Sequence, residues 1–214
     1  MPFFPAQIAV DANTELQRLL PRLIALESFR CSCPMFRETV DVLHHSCPRI
    51  KTLSFDFLEM DEDILGLAWN RPPAYKQRAR ELFRMPDITV FTDLEELTLL
   101  NLYGDLAQWR DQIVQVLTNS TRLQRLGLSI ASEALSRLRR TEYDDEFLRW
   151  FNLLCVSYGE SGGSPLPLRS LRCGTAVLPE DAALLEQLVD MNCLEEAHIE
   201  NENIWDNNIG IMIP

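Results

Sequence analysis

The chain has 214 residues, of which 46% are hydrophobic, and its formal net charge is -12. This length can bury a sizeable core without metal ions or disulfide bonds. The acidic balance argues against binding to nucleic acid or to an anionic membrane, because both need clustered lysine and arginine. No stretch has the roughly 18 uninterrupted apolar residues of a membrane span, and the N-terminus lacks the features of a secretory signal. We therefore expect an intracellular protein, cytoplasmic or nuclear.

The first quarter of the chain alternates helical and extended patterns. Apolar residues at helical spacing predict a helix over residues 11–20, and a strand is predicted near residues 26–31. A second helical pattern covers residues 35–45 and ends before Pro48, which disfavours helix in the preceding residue. The second strand is predicted over residues 50–57.

The middle of the chain continues this alternation, with longer connections. Two helical stretches, near residues 64–69 and 74–83, precede a third strand at residues 94–100. A broad apolar stripe then predicts a helix over residues 105–117, and a fourth strand follows at residues 123–129.

The last third contains two further strands. An apolar-rich helix through residues 147–154 leads to a Gly/Ser-rich loop at residues 159–165. The fifth strand is predicted at residues 168–173, a helix with Pro in its first turn over residues 179–189, and the sixth strand at residues 194–200.

The six predicted strands share one spacing, with apolar or small residues at i, i+3, i+6 and i+8. The segments are Leu23/Leu26/Phe29/Cys31, Cys47/Ile50/Leu53/Phe55, Phe91/Leu94/Leu97/Leu99, Ser120/Leu123/Leu126/Leu128, Pro165/Leu168/Leu171/Cys173 and Met191/Leu194/Ala197/Ile199. This is the leucine-rich-repeat template L-x-x-L-x-L. It predicts an α/β fold in which residues 1–214 form a single leucine-rich-repeat solenoid. About six strand-helix repeats would build an irregular horseshoe arc with parallel strands on the concave face.

The C-terminal end departs from this pattern. Residues 200–214 contain Trp205, Ile209, Ile211 and Ile213 but no clear covering helix. Because solenoid ends need a polar cap, we expect an incomplete C-terminal end.

The residues between the apolar columns are the candidate binding surface. Side chains alternate across a strand, so these residues would line the concave face. Their mixed, largely small and polar character favours a protein or peptide partner rather than a small-molecule substrate. The predicted partner-binding residues are Arg30, Ser54, Asp56, Thr98, Arg125, Arg172, His198 and Glu200.

Metal binding and catalysis are disfavoured. Cys31-x-Cys33 with His44-His45-x-Cys47 has zinc-ligand residue types, but Cys31 and Cys47 fall in different apolar columns. The acidic residues Asp61, Asp63, Asp144 and Asp145 lack an EF-hand pattern and are expected on solvated surfaces. No common catalytic motif is present. We predict no metal, no cofactor and no enzyme activity.

Three sequence blocks carry a resemblance to a known family. They are Leu20-Pro21-Arg22-Leu23-x-x-Leu26-Glu27-Ser28-Phe29, Ser46-Cys47-Pro48-Arg49-Ile50-x-x-Leu53 and Leu123-Gln124-Arg125-Leu126-Gly127-Leu128. Over about residues 15 to 200 the chain resembles the leucine-rich-repeat half of F-box proteins from filamentous fungi.

The resemblance implies that the repeats recognise the substrate of an F-box-type ubiquitin ligase receptor. In that family an N-terminal F-box binds a Skp-type adaptor of a cullin complex. Nothing before Leu16 resembles an F-box, so binding of the adaptor and cullin requires an F-box supplied upstream. The alternative is a truncated or orphan leucine-rich-repeat fragment that acts as a structural or scaffold protein without a ligase link.

Overall fold

The computed structural model describes residues 5–32, 35–57, 85–130, 140–174, 182–199 and 209–212. Their strands are β1 (Ser28–Cys31), β2 (Thr52–Asp56), β3 (Glu96–Leu102), β4 (Arg125–Ile130), β5 (Ser170–Cys173), β6 (Glu196–Ile199) and β7 (Ile209–Met212). Their helices are α1 (Pro5–Leu19), a 3-10 turn at Leu20–Arg22, α2 (Arg37–Ser46), α3 (Leu106–Thr118), α4 (Arg140–Glu160) and α5 (Ala182–Leu188).

The strands form one sheet in chain order. β1 to β6 are all parallel, and β7 is antiparallel to β6. The prediction of an α/β fold with six parallel strands is confirmed. Each of these strands lies within or close to the predicted range, although β1 begins at Ser28 rather than near residue 26.

Two apolar columns run across the six parallel strands. Strand register aligns Phe29, Leu53, Leu97, Leu126, Leu171 and Ala197 in one column, and Cys31, Phe55, Leu99, Leu128, Cys173 and Ile199 in the next. All six members of the first column are buried. The hydrophobic core therefore lies on this face of the sheet, where removing the apolar side chains from water stabilises the fold.

The column that starts each repeat is buried only in part, which corrects the uniform pattern of the sequence template. Cys47, Phe91 and Ser120 are buried, whereas Leu23 and Met191 are 46% and 41% exposed. The buried members with polar atoms bond to backbone groups that lie earlier in the chain. The Cys47 thiol donates to the Leu23 carbonyl oxygen at 3.4 Å, and the Ser120 hydroxyl accepts from the amide of Leu94 at 3.1 Å.

Helix α3 matches its prediction closely and shows why the helix begins where it does. The Asp105 carboxylate accepts hydrogen bonds from the amides of Ala107 and Gln108, at 3.0 and 3.1 Å. This is an N-cap, which satisfies backbone donors that have no partner within the helix. The buried Trp109 of this helix donates to the Tyr103 carbonyl oxygen at 2.9 Å.

The other helices differ more from prediction. α1 extends from Pro5 rather than residue 11, and α4 covers Arg140–Glu160 rather than residues 147–154. Trp150 of α4 donates from its indole nitrogen to the Leu106 carbonyl oxygen at 2.8 Å, which ties α4 to the start of α3. The helical stretches predicted near residues 64–69 and 74–83 lie outside the described residues.

A ladder of backbone hydrogen bonds also joins the turns that precede the strands. The carbonyl oxygen of Glu27 accepts from the amides of both Lys51 and Thr52, at 2.8 and 3.0 Å. The same double acceptance recurs at the carbonyl groups of Lys51, Glu95, Gln124 and Arg169. We call this set of five carbonyl groups the turn ladder. It extends the contact between neighbouring parallel strands into the turns that precede them.

Strand β7 is an element that the sequence analysis did not predict. Its register places Ile211 beside Ala197 and Ile209 beside Ile199.

In the described part of the chain, no helix has the length and apolar character needed to cross a membrane.

Candidate functional site

The sheet face opposite the apolar columns carries polar and small side chains. We call it the polar face and define it first by two columns that strand register aligns: Ser28, Thr52, Glu96, Arg125, Ser170 and Glu196; and Arg30, Ser54, Thr98, Gly127, Arg172 and His198. The polar face also includes Asp56 and Leu100, which are in register, and Ser129 and Gly174, which follow the aligned residues Leu128 and Cys173. Of the predicted partner-binding residues, all lie on the polar face except Glu200, which lies outside the described residues.

A group of three charged side chains lies on the polar face. Arg30 contacts Glu96 through Nη2, which lies 3.1 Å from Oε1 and 3.4 Å from Oε2. Arg125 contacts the same carboxylate through Nη1, which lies 3.4 Å from Oε2. We call these three residues the Arg-Glu-Arg cluster. Its carboxylate is only 14% exposed, whereas the two arginine side chains are 65% and 68% exposed.

Strand β2 separates the two strands that form the Arg30–Glu96 pair. Neighbouring strands are about 4.8 Å apart, so the Arg30 side chain extends across β2 to reach β3. The β2 residues on this face include Thr52 and Ser54, whose side chains are short. An arginine can therefore lie over them, with its methylene groups packed on the sheet and its guanidinium in water.

The Asp56 carboxylate is bonded within the protein, to a residue of the neighbouring strand β3. Asn101 donates from Nδ2 to its Oδ1 at 2.7 Å, and the Asn101 amide donates to the Ser129 hydroxyl at 2.8 Å. Asn101 has φ +56, and the register between β3 and β4 shifts between Leu99 and Leu102. Asparagine tolerates this left-handed conformation because its short side chain bonds locally. Asp56 thus stabilises a bulge at the end of β3.

The centre of the polar face is closely packed. A β-carbon added at Gly127 would lie 3.1 Å from Thr98 Cγ2 and 3.2 Å from its Oγ1, and one added at Gly174 would overlap Ser129. Glycine at these two positions leaves room for the Thr98 and Ser129 side chains on the neighbouring strands. The charged side chains of the polar face therefore lie around an area of small residues.

At the β6 side of the polar face, His198 and Glu196 form a contact. His198 Nε2 lies 3.4 Å from Glu196 Oε2, and the two side chains are 43% and 55% exposed. Arg172 is in register with His198 on the neighbouring strand. The polar face therefore presents cationic or titratable groups at both ends, with the Arg-Glu-Arg cluster nearer to β1.

A cleft of about 580 Å³ lies beside the starts of β4, β5 and β6. It is lined by Arg122, Gln124, Pro167, Arg169, Asn192, Cys193, Leu194 and Glu195. Its arginines face carboxylates at long distances, 4.0 Å for Arg122 and Asp93 and 3.7 Å for Arg169 and Glu195. Asp190 accepts hydrogen bonds from Asn192, which lower the pKa of its carboxyl group. The Cys193 thiol donates to Asp190, and this bond raises the pKa of the thiol, which opposes nucleophilic chemistry.

The cysteines and histidines that suggested zinc differ in burial, since Cys47 lies in the core, Cys31 and His44 are partly buried and His45 is exposed. Cys47 is buried and bonded to backbone carbonyl groups, while Cys31 is partly buried on β1. His44 packs edge-on against Phe91, with ring centroids 5.8 Å apart, and His45 Nδ1 bonds to the Asp41 carbonyl oxygen. Among the described residues, no group of three or more potential ligands could hold a metal ion. Cys33, Asp61 and Asp63 lie outside those residues.

Two further thiols are buried, that of Cys155 on α4 and that of Cys173 on β5. Burial raises the pKa of both Cys155 and Cys173 to about 12. Both are free cysteines, and a thiol with such a pKa stays protonated and unreactive at neutral pH. They are core residues rather than candidate nucleophiles.

Comparisons with protein-family models, curated proteins and solved structures find no match to this chain.

The sequence analysis missed two features of this surface. Glu96 is not among the predicted partner-binding residues, although its alignment with Arg125 on the neighbouring strand indicates a charged pair. The cleft depends on turn residues such as Arg122, Asn192 and Cys193, whose proximity follows from the parallel pairing of β4, β5 and β6. No local pattern in the sequence marks that proximity.

Proposed function

We propose that this chain is a non-enzymatic protein-binding module with a leucine-rich-repeat architecture, its parallel strands on the concave side of an arc. The observation that carries the proposal is the register across six strands, which aligns apolar columns on one sheet face and polar columns on the other. Such repeat folds offer an extended strand surface for a protein or peptide. The partner would bind to the polar face.

We further propose that the module recognises the substrate of an F-box-type ubiquitin ligase receptor in the cytoplasm or nucleus. The support for this step is the resemblance of the Leu20–Phe29, Ser46–Leu53 and Leu123–Leu128 blocks to fungal F-box proteins. Contact with a Skp-type adaptor would need an F-box supplied upstream. Recognition of the substrate would use the polar face alone.

Affinity purification of the tagged, full-length native protein from its own cells, followed by mass spectrometry, tests both steps. The informative variant is Arg125→Glu, which reverses a charge that is 68% exposed on the polar face. The matched control is Arg18→Glu, because Arg18 is 70% exposed and also pairs with one carboxylate, but on α1. A partner retained by the wild type and the control but lost in Arg125→Glu supports the binding module.

Two other outcomes discriminate the hypotheses. Co-purification of adaptor and cullin supports the ligase proposal, and their absence beside a specific partner contradicts it while leaving the binding module intact. Retention of no protein that depends on Arg125 contradicts binding through this face and favours the alternative of a structural or scaffold fragment.

A further inference from the structure

The Arg-Glu-Arg cluster has an imbalance of charge. Two guanidinium groups share one carboxylate, so the cluster keeps one net positive charge within a chain whose formal net charge is -12. The carboxylate is nearly covered, while both arginines are about two-thirds exposed. The cationic side of the cluster therefore faces solvent.

The geometry also holds the two guanidinium groups near each other. Arg30 Nη2 and Arg125 Nη1 each lie 3.4 Å from the same Glu96 oxygen, so the two nitrogens are separated by no more than twice that distance. Each arginine contacts Glu96 through one terminal nitrogen only. A guanidinium has five N–H donors, which leaves each group with donors that can point away from Glu96.

We propose that the Arg-Glu-Arg cluster is a clamp for one carboxylate side chain of an acidic peptide segment in the bound partner. The inference rests on the proposed function, since it names the chemistry of the partner that the polar face would bind. Glu96 positions the arginines by holding both guanidinium groups in place before the ligand arrives. Arg30 and Arg125 then donate to the incoming carboxylate, a geometry that guanidinium groups match well.

Charge selects the ligand class. One carboxylate carries one negative charge, which balances the single net positive charge of the cluster, whereas a phosphate carries about -1.5 to -2 at neutral pH. A phosphate would therefore leave excess negative charge beside the covered Glu96 carboxylate. The acidic character of the whole chain opposes long polyanions as well, so the favoured segment has one acidic residue among neutral ones.

Thr98 lies beside this clamp. It shares the column of Arg30, and Gly127 continues that column on the next strand. The surface next to the two arginines therefore consists of small side chains and backbone atoms. An extended peptide could place its acidic side chain at the cluster while its neighbours lie over these small residues.

Nuclear magnetic resonance of the arginine Nε–Hε groups tests the clamp in the full chain. The probe is the blocked tripeptide acetyl-Gly-Glu-Gly-amide, and its uncharged counterpart is acetyl-Gly-Gln-Gly-amide. We expect the glutamate peptide to shift the Arg30 and Arg125 signals in a saturable way, at least tenfold more tightly than the glutamine peptide. The Arg18 signal, which reports an exposed arginine paired with Glu15, should not shift with the same saturation.

The variant Arg30→Gln should raise the apparent Kd measured at Arg125 at least tenfold, because only one guanidinium remains, whereas Arg18→Gln should leave it unchanged. Equal shifts with the two peptides, shifts equally large at Arg18, or no shifts would overturn the clamp. A phosphoserine peptide that binds more than tenfold tighter than the glutamate peptide would overturn the choice of carboxylate. Circular dichroism and the thermal midpoint confirm that each variant is folded.

The two proposals fail separately. If the tripeptide does not bind but a protein partner is lost in Arg125→Glu, the binding module stands and the carboxylate clamp is wrong. If the tripeptide binds as expected but no protein partner depends on Arg125, the clamp stands and the proposed role in protein binding is wrong.

Discussion

Gly174 packs directly against Ser129 of the neighbouring strand, with no room between them for a β-carbon. An added β-carbon would overlap Ser129 Cβ and lie 3.0 Å from its Cα, which belongs to the backbone. Ser129 is itself fixed, since its hydroxyl accepts a hydrogen bond from the Asn101 amide. Relief of the overlap would require a shift of the sheet.

Substitution Gly174→Ala is therefore expected to lower the free energy of unfolding by about 1–3 kcal/mol, the usual cost of overpacking. Urea unfolding measures this. The matched variant Gly127→Ala should cost less, because its β-carbon would meet only side-chain atoms of Thr98, at 3.1 and 3.2 Å. In a Ser129→Gly background the cost of Gly174→Ala should shrink; an unchanged cost would contradict the proposed overlap.

The N-cap of α3 gives a second prediction. Asp105→Ala removes the acceptor for the amides of Ala107 and Gln108, and should lower the free energy of unfolding by about 0.5–2 kcal/mol. Asp105→Asn keeps a side-chain oxygen and should recover most of this loss. The control is Asp111→Ala, on an exposed position of the same helix; if it costs as much as Asp105→Ala, the effect is not due to the cap.

Gln112 supports the chain segment that leads into β3. Its side-chain oxygen accepts a hydrogen bond from the fully buried Ile88 amide at 2.9 Å. Gln112→Leu leaves that amide without this acceptor, so we expect a loss of about 1–3 kcal/mol in the free energy of unfolding. Gln108→Leu, on the exposed side of α3, should change it by less than about 0.5 kcal/mol. Equal losses in denaturant titrations of the two variants would contradict this role.

The buried thiols predict a loss of stability at alkaline pH. The pKa values of Cys155 and Cys173 rise from the ordinary 9.0 to about 12 because burial penalises the thiolate. Above pH 9 the unfolded chain releases these protons while the folded chain keeps them, so the free energy of unfolding falls as pH rises. Each thiol contributes about 1.4 kcal/mol to the fall between pH 8 and pH 10.

Urea unfolding at these two pH values measures the effect. Cys155→Ala should reduce the fall by the contribution of one thiol, whatever its own cost at pH 8. The control Val156→Ala, on the same helix, adds or removes no ionisable group and should leave the fall unchanged. A fall of the same size in wild type and Cys155→Ala would show that this thiol titrates alike in the folded and unfolded states.

The columns of the sheet were predictable because one face of each strand is buried. A slip of one residue would move Leu53 or Leu97 to the polar side, so the apolar pattern alone fixes the register. The same alternation placed Arg30 and Arg125 on the opposite face. Their contact with Glu96 was not predictable in this way, because Arg30 skips a strand and its position depends on the short side chains of β2.

The ends of the sheet were harder to predict than its middle. The template required a buried apolar residue at each repeat start, but Leu23, Pro165 and Met191 are exposed. Strand β7 was not predicted because we looked for a helix that would cover the C-terminal end. The alternation of Ile209 and Ile211 was therefore not interpreted as a strand. The antiparallel pairing of β7 with β6, the strand just before it in the chain, departs from the parallel repeat pattern, which therefore does not encode it.

The turn ladder has a direction. Every carbonyl acceptor precedes an earlier strand and every amide donor precedes the next parallel strand along the chain, as with Glu27 and Lys51 or Arg169 and Glu195. A ribosome releases the earlier strand first. Each newly made strand therefore finds the acceptors of the turn ladder already synthesised, and these bonds can form in the order of translation.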